Sequence, residues 1–353
     1  MRNNKSRPHS MAKKRFLDTL HGKIIFASLC IVLTLAGSVL IAGEVLLSRI
    51  NRVPVTSIAP QSASQGATSS GPVQDDSLLW KSDVLNILLI GNDTRGGEKY
   101  GNSDTMLMLS INKNTNQMKV VSFLRDLYVP IEGFSGRNRI NASFESGGPS
   151  LLIDTIQKNF KVRIDKYACI DFKGFEKAID SVGGVTITLT KSEADEINGD
   201  PVTYFTSIGE KAQRVSVGTQ KLNGAKALAY ARIRHIDNDF NRTQRQRNVL
   251  SSLMSSMKNS NPLTLLSLAD SIFQDNMKTD LNNGEIEQLV LFRAPAIMKG
   301  NLEQFTVPAD GAWTRLQTER NGWPMDVIDP DFPKNRELLK NFLYGTADSS
   351  SNG

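Results

Sequence analysis

Between Ala231 and Arg247 the sequence ARIRHIDNDFNRTQRQR carries Arg232, Arg234, Arg242, Arg245 and Arg247. Guanidinium groups at this density suit anion recognition, because each presents a rigid fork of donors to phosphate or carboxylate oxygens and keeps its charge at any working pH. The plainer alternative is a solvated basic face offset by Asp237 and Asp239. Helical phase separates the two. Val249, Leu250, Leu253, Met254 and Met257 mark the apolar face of a helix expected over Asn241 to Lys258. Stepping back at about 3.6 residues per turn puts Gln246 and Arg242 on that face, with Arg245 and Arg247 to either side. A guanidinium on a core-facing stripe needs something negative to meet it. The first turns of a helix disfavour cations and offer free N–H groups, so an anion bound there makes physical sense of the cluster.

A second set lies earlier in the chain. GNDTRGG holds Asp93 and Arg95, GNSDT holds Asp104, and SFLRDLYVPI holds Arg125 and Asp126 at a strand end. Asp93 and Asp104 flank one glycine-rich loop, as two carboxylates holding a hard divalent cation against phosphate oxygens would. Each alone is also an ordinary turn former. Gly96 to Gly101 has the glycine gap of a P-loop, but Asn102 and Ser103 stand where Lys and Ser/Thr are required, which excludes a nucleotide P-loop. His235 and Cys169 are isolated in the region beyond the first 50 residues, which excludes a paired-histidine zinc site and argues against a Cys/His nucleophile pair. What remains suits phosphoryl transfer, where a metal and several arginines neutralise developing charge and orient an incoming hydroxyl.

The elements that must position these groups follow from composition and pattern. The 353-residue chain has a net charge of +6, and its first 23 residues, with seven basic groups against Asp18, account for all of that excess. The basicity therefore reads as a topology signal and not as a nucleic-acid footprint. Ile24 to Gly43 is 20 residues without a charge, the length of a helix that crosses the roughly 30 Å hydrocarbon core. Its basic flank predicts an uncleaved single-pass membrane anchor, with residues 1–23 cytoplasmic and everything after Gly43 outside. Residues 44–82, rich in Ser, Gln, Gly and Pro over Asn51 to Ser77, read as a flexible stalk. Residues 83–345 form one extracytoplasmic domain, and 346–353 a disordered tail. Within the domain, VLNILLI, TMLMLSI and MKVVSFL read as successive strands, with a late strand near Phe305. Helical periodicity covers Pro149 to Phe160, Phe172 to Val182, Asn223 to Ile233, Leu263 to Phe273 and Glu285 to Met298. The expected class is α/β, a mixed central β-sheet packed between α-helices and preceded by one transmembrane helix.

Taken in order, NILLIGNDTRGG, GNSDTMLMLSI, VSFLRDLYVPI, RINASFESGG, IDFKGFEKAIDSVGGV and LNGAKALAYARIRHIDNDFNRTQRQ resemble the LytR-CpsA-Psr family of cell-wall glycopolymer transferases, from about Leu85 to Leu253. The resemblance implies a phosphotransferase that takes a glycopolymer from a polyprenyl-pyrophosphate carrier and joins it by a phosphodiester to a peptidoglycan hydroxyl. By motif position, Arg125, Arg232, Arg234, Arg242 and Gln246 would bind the pyrophosphate. Asp93 and Asp104 would hold magnesium, or manganese in its place, and Asp239 would orient the arginines or assist proton removal. The catalytic set it implies is Arg125, Asp239 and Arg242. Where many members carry Arg two residues before the second metal aspartate, this chain has Asn102, and the expectation is either compensation by Arg95 or Arg245 or a less tightly held pyrophosphate. Membrane lipid is an expected contact, with Leu250, Leu253, Met254 and Met257 available to a lipid tail as well as to core packing. The alternatives are hydrolysis of the pyrophosphate and a tethered, non-catalytic polymer binder or regulator.

Overall fold

In a computed structural model of the chain, the three apolar runs expected as strands become the centre of one sheet. The strands are β1 (Asn51–Arg52), β2 (Val84–Asp93), β3 (Asn102–Asn112), β4 (Met118–Phe123), β5 (Tyr128–Pro130), β6 (Arg137–Arg139) and β7 (Lys166–Asp171). They continue with β8 (Val185–Leu189), β9 (Gly218–Leu222), β10 (Met277–Thr279), β11 (Glu303–Val307), β12 (Trp313–Arg320) and β13 (Trp323–Pro330). The structure describes residues 51–52, 78–93, 100–258, 277–297, 300, 302–320 and 322–345. The expected anchor, most of the stalk, the glycine-rich loop with Arg95, the helix expected over 263–273 and the tail from 346 lie outside the described residues. Among the described residues no helix is long and apolar enough to cross a membrane.

The seven-stranded sheet has the order β1-β10-β7-β2-β3-β4-β11. β2 pairs antiparallel with β3 and parallel with β7, while β4 pairs antiparallel with β3 and parallel with β11. The sheet is thus mixed, as expected. Asn51 and Arg52, read as stalk, pair in parallel with Lys278 and Thr279.

Among the described residues, six helices of nine residues or more pack around this frame: α1 (Asn141–Phe160), α2 (Phe172–Ser181), α3 (Lys191–Gly199), α4 (Gly224–Arg232), α5 (Asp239–Met257) and α6 (Phe332–Tyr344). β2 is apolar at consecutive positions because both of its faces are covered. Leu88 and Ile90 join Met106, Met108 and Phe123 against Phe144, Leu152, Ile156 and Phe160 of α1 and Leu339 of α6. Ile87, Ile111 and Met118 point the other way, where Met254 of α5 and Ile297 meet them. A second core ties β8, α3 and α4 to Val249 and Leu253, so α5 lies between the main sheet and this smaller layer.

Two glycines fix local geometry. Gly148, at a φ of 64°, is a non-helical kink that divides α1, so a first helical segment from Asn141 precedes the expected one, which starts at Pro149. At Gly224 a Cβ would lie 2.4 Å from the Glu176 carbonyl oxygen, so the crossing of α4 over α2 admits no side chain there.

Candidate active site

Strand ends, one turn and one helix start bring the charged groups together. In the β2–β3 ladder Asn92 faces Ser103 and Gly91 faces Thr105, which leaves Asp104 as the extra residue of a β-bulge. A bulge re-aims the side chain it carries, and here it turns a carboxylate toward α5. Arg125 and Asp126 occupy the turn after β4, closed by the Leu127 N–H to the Leu124 carbonyl at 3.3 Å. The α5 helix starts at Asp239, two residues before the expected boundary, and Asn238 caps it by accepting from the Asn241 N–H. That start places Asp239, Arg242 and Gln246 in its first turns on the side of Asp104.

Asp104 is gripped from two sides. One carboxylate oxygen lies 3.0 Å from Arg125 Nη1 and the other 2.9 Å from Arg242 Nη2. Gln246 Nε2 donates to the Asp104 carbonyl at 3.3 Å. Asp239 Oδ1 is 3.5 Å from both Arg125 Nε and Arg242 Nη1. Asp126 extends the network, at 3.6 Å from Arg125 Nε and 3.2 Å from Arg139 Nε. Arg234 comes near enough to act on Asp104, Arg125 and Arg242 electrostatically, yet no carboxylate among the described residues pairs with it.

The two acids of this cluster titrate oppositely. Burial raises the Asp104 carboxyl, but Arg242, Arg125 and Arg234 outweigh it and hold the group below the usual range. For Asp239 burial is again the largest effect, and the nearby Asp126 and Asp104 add to it against Arg242 and Arg125, so its carboxyl is raised. Desolvation and repulsion by Arg125 and Arg242 depress Arg234. The buried Nε of Arg242 and the Ser103 hydroxyl have no hydrogen-bond partner among the described residues. Clustered guanidiniums with unspent donors are the electrostatic complement of an incoming anion.

The predicted residues divide as follows. Asp104, Arg125, Asp239, Arg242 and Gln246 meet. Asp93 ends β2 opposite Asn102, which sets the two candidate metal aspartates on neighbouring strands. Arg232 rests over the Phe172 ring at 4.9 Å and donates to the Thr203 carbonyl at 3.3 Å. Arg245 is not brought into the cluster: its Nε donates to Glu193 at 2.8 Å, and its Nη groups bond Asp237 and the Ile233 carbonyl. Arg95 lies outside the described residues. Asp126 and Arg139 belong to the network and were not singled out as site residues, although both sit in the motifs that carried the family resemblance. Cys169 is buried in β7, where desolvation pushes its thiol up to about 12, and His235 pairs with Glu196 at 2.8 Å, so neither joins the cluster.

A divalent cation can be tested against these donors. Among the described residues no group of three or more His, Cys, Asp or Glu side chains could hold a metal by itself. Magnesium does not need one, since it commonly takes one or two carboxylates and completes its octahedron with water and phosphate oxygens. Each Asp104 oxygen accepts one guanidinium bond and retains a lone pair. Asp104 therefore keeps acceptor capacity for a cation, and Asp93 ends the neighbouring strand.

In this mixed α/β domain Arg125 and Arg242 converge on a bulged aspartate near the start of a long helix. The chain belongs to the LytR_cpsA_psr family, whose model matches residues 56–323. It is 32% identical over 242 residues to the polyisoprenyl-teichoic acid–peptidoglycan teichoic acid transferase TagU of Oceanobacillus iheyensis, covering 66% of this chain and 70% of that one. It is 29% identical over 278 residues to the regulatory protein MsrR of Staphylococcus aureus, covering 78% and 77%. Among solved structures, TagT bound to LI-WTA aligns with a TM-score of 0.57 and 25% identity, over 74% of this chain and 90% of that one.

Proposed function

We propose that this protein is a membrane-anchored phosphotransferase that moves a glycopolymer from a polyprenyl-pyrophosphate carrier to peptidoglycan through a phosphodiester bond. The observation that carries the reading is the convergence of Arg125 and Arg242 on Asp104, with Arg234 beside them. Family membership and the likeness to TagU support the transferase class. The charge-free run Ile24 to Gly43 and its basic flank support the anchor and the extracytoplasmic address.

The acceptor hydroxyl attacks the phosphorus on the glycan side, a new P–O bond forms, and the bridging P–O bond breaks. Its electron pair leaves on the lipid phosphate. Arg125, Arg234 and Arg242 bind the glycan-side phosphate and offset charge as it spreads over the equatorial oxygens. Gln246 fixes the Asp104 backbone, and Asp126 with Arg139 holds the Arg125 turn. Asp239, with its raised pKa and its place among the arginines, takes the hydroxyl proton. Magnesium held by Asp93 and Asp104 would supply Lewis-acid neutralisation of phosphate oxygens.

The test is full-length protein in detergent with magnesium, a lipid-pyrophosphate-linked glycan and peptidoglycan oligomers. Transfer yields a phosphodiester-linked conjugate, seen by mass analysis. Release of free glycan phosphate at the same rate with and without acceptor would replace transfer by hydrolysis. A wild-type protein that consumes no donor, together with an Arg125→Ala strain whose wall polymer is normal, would leave a non-catalytic binder.

A further inference from the structure

Arg247 is absent from the cluster around Asp104, and its environment is of a different kind. It is 7% exposed and no carboxylate among the described residues pairs with it. Its Nη1 donates to the Ser122 hydroxyl at 2.9 Å and to the Thr306 hydroxyl at 2.8 Å, and its Nη2 donates to Gln244. The buried Nε has no partner, and Nη2 retains a second N–H. Desolvation alone depresses its pKa. A guanidinium buried against neutral oxygens, with donors left over, is costly unless an anion arrives.

Its position says where along a ligand that anion would be. Ser122 and Thr306 are register partners on β4 and β11, and Arg247 lies five residues beyond Arg242 on α5, roughly 7.5 Å along the helix axis. A pyrophosphate with one hydrogen bond at each end spans on the order of 10 Å. Further down β4 Met118 belongs to the apolar cluster against which Met254 of α5 packs, and Met254 lies seven residues beyond Arg247 on the same helical face. The side chains along α5 are therefore graded. Arg242, near Arg125 and Arg234, comes first, Arg247 follows, and Met254 comes last. A ligand with a phosphate at its head, a second phosphate next and an apolar chain last matches that order. Arg234 and Arg247, neither paired with a carboxylate among the described residues, match the two negative charges of a pyrophosphate diester.

We infer that Arg247 binds the lipid-side phosphate, which is the leaving group of the transfer. This assignment rests on the transferase reading and orients the ligand within it. When the bridging P–O bond breaks, the electron pair stays on the lipid phosphate, and the free N–H groups of Arg247 stabilise the added charge. The glycan-side phosphate remains with Arg125, Arg234 and Arg242.

The experiment titrates full-length protein in detergent with farnesyl monophosphate and farnesyl pyrophosphate, and follows the melting temperature of each variant. Arg247→Gln should weaken the monophosphate about tenfold, Arg247→Lys should recover most of that loss, and both should melt near the wild type. Arg234→Gln should weaken the pyrophosphate by a similar factor and change the monophosphate less than twofold. Unchanged monophosphate affinity in Arg247→Gln overturns the assignment, and so does a loss that Lys does not recover or that appears only with a lowered melting temperature. If the wild type binds neither probe, the pyrophosphate reading of the whole site falls and takes this assignment with it.

Discussion

Arg242 and Arg245 stand three residues apart on one helix, both almost fully buried, and they do opposite things. Arg245 is closed. Glu193, itself fixed by a capping box with Thr190, and Asp237 occupy its fork, and the Ile233 carbonyl takes a further bond. Arg242 is open, because it shares Asp104 with Arg125, reaches Asp239 only at 3.5 Å and leaves its Nε unspent. An ion pair with its Nε and both Nη groups engaged holds a fold in register, whereas the proposed ligand site keeps a buried Nε unspent. Burial and residue type are the same in both cases. The saturation of the partners makes the difference.

Each side of that contrast can be broken separately. Arg245→Ala strands Glu193 and Asp237 and should cost about 3–5 kcal/mol of stability, read from denaturant unfolding, with little change in turnover per folded molecule. Arg242→Ala should keep more of the stability, since Arg125 still meets Asp104, and should lower transfer by about 10²–10³-fold. If Arg242→Ala lost more stability than Arg245→Ala, the contrast between closed and open clusters would be wrong.

Two smaller effects follow from pH. Asp239 has a raised pKa, so it stays protonated to higher pH than an ordinary carboxyl, and kcat/KM should rise as pH passes through that raised value. Asp239→Asn should abolish this limb and lower the rate by roughly 10²-fold. Glu176 is pushed to about 7 from 4.5, first by burial and then by Glu210 and Asp180. A carboxyl raised in the folded state contributes stability at low pH that is lost as pH rises from about 4.5 through about 7. Glu176→Gln should therefore exceed the wild type in stability at pH 8 and match it near pH 4. Because Glu176 is only half-buried, the gain should be below about 1 kcal/mol, seen as a small rise in Tm.

The comparison also shows what the sequence can reveal. Helical phase placed Arg242 and Gln246 inward because the apolar stripe from Val249 to Met257 carried the register back to them. It could not assign Arg245, because a three-residue step is nearly a full turn and phase alone does not say which partner waits there. Glu193 is distant in sequence, and only the fold brings it to Arg245. The central strands were legible from their apolar runs, but the β12–β13 hairpin was missed, although Asn321-Gly322 between two short runs is a strong turn signal. The α6 helix was missed as well, with Asp331 as its cap and Pro333 in its first turn. Asp126 and Arg139 were unreadable as site residues, because their role is to hold Arg125 and depends on a turn and two short strands packing together.

The bulge at Asp104 has a further consequence. In an unbroken ladder every residue of β3 would have a partner on β2, so the one position without a partner is also the one the sheet does not need. Deleting Asp104 outright would let the ladder close and leave a regular strand with no carboxylate. The acidic centre of the site is thus an insertion carried by the scaffold: the ladder does not need it, and its loss would be felt by Arg125 and Arg242, which it pairs.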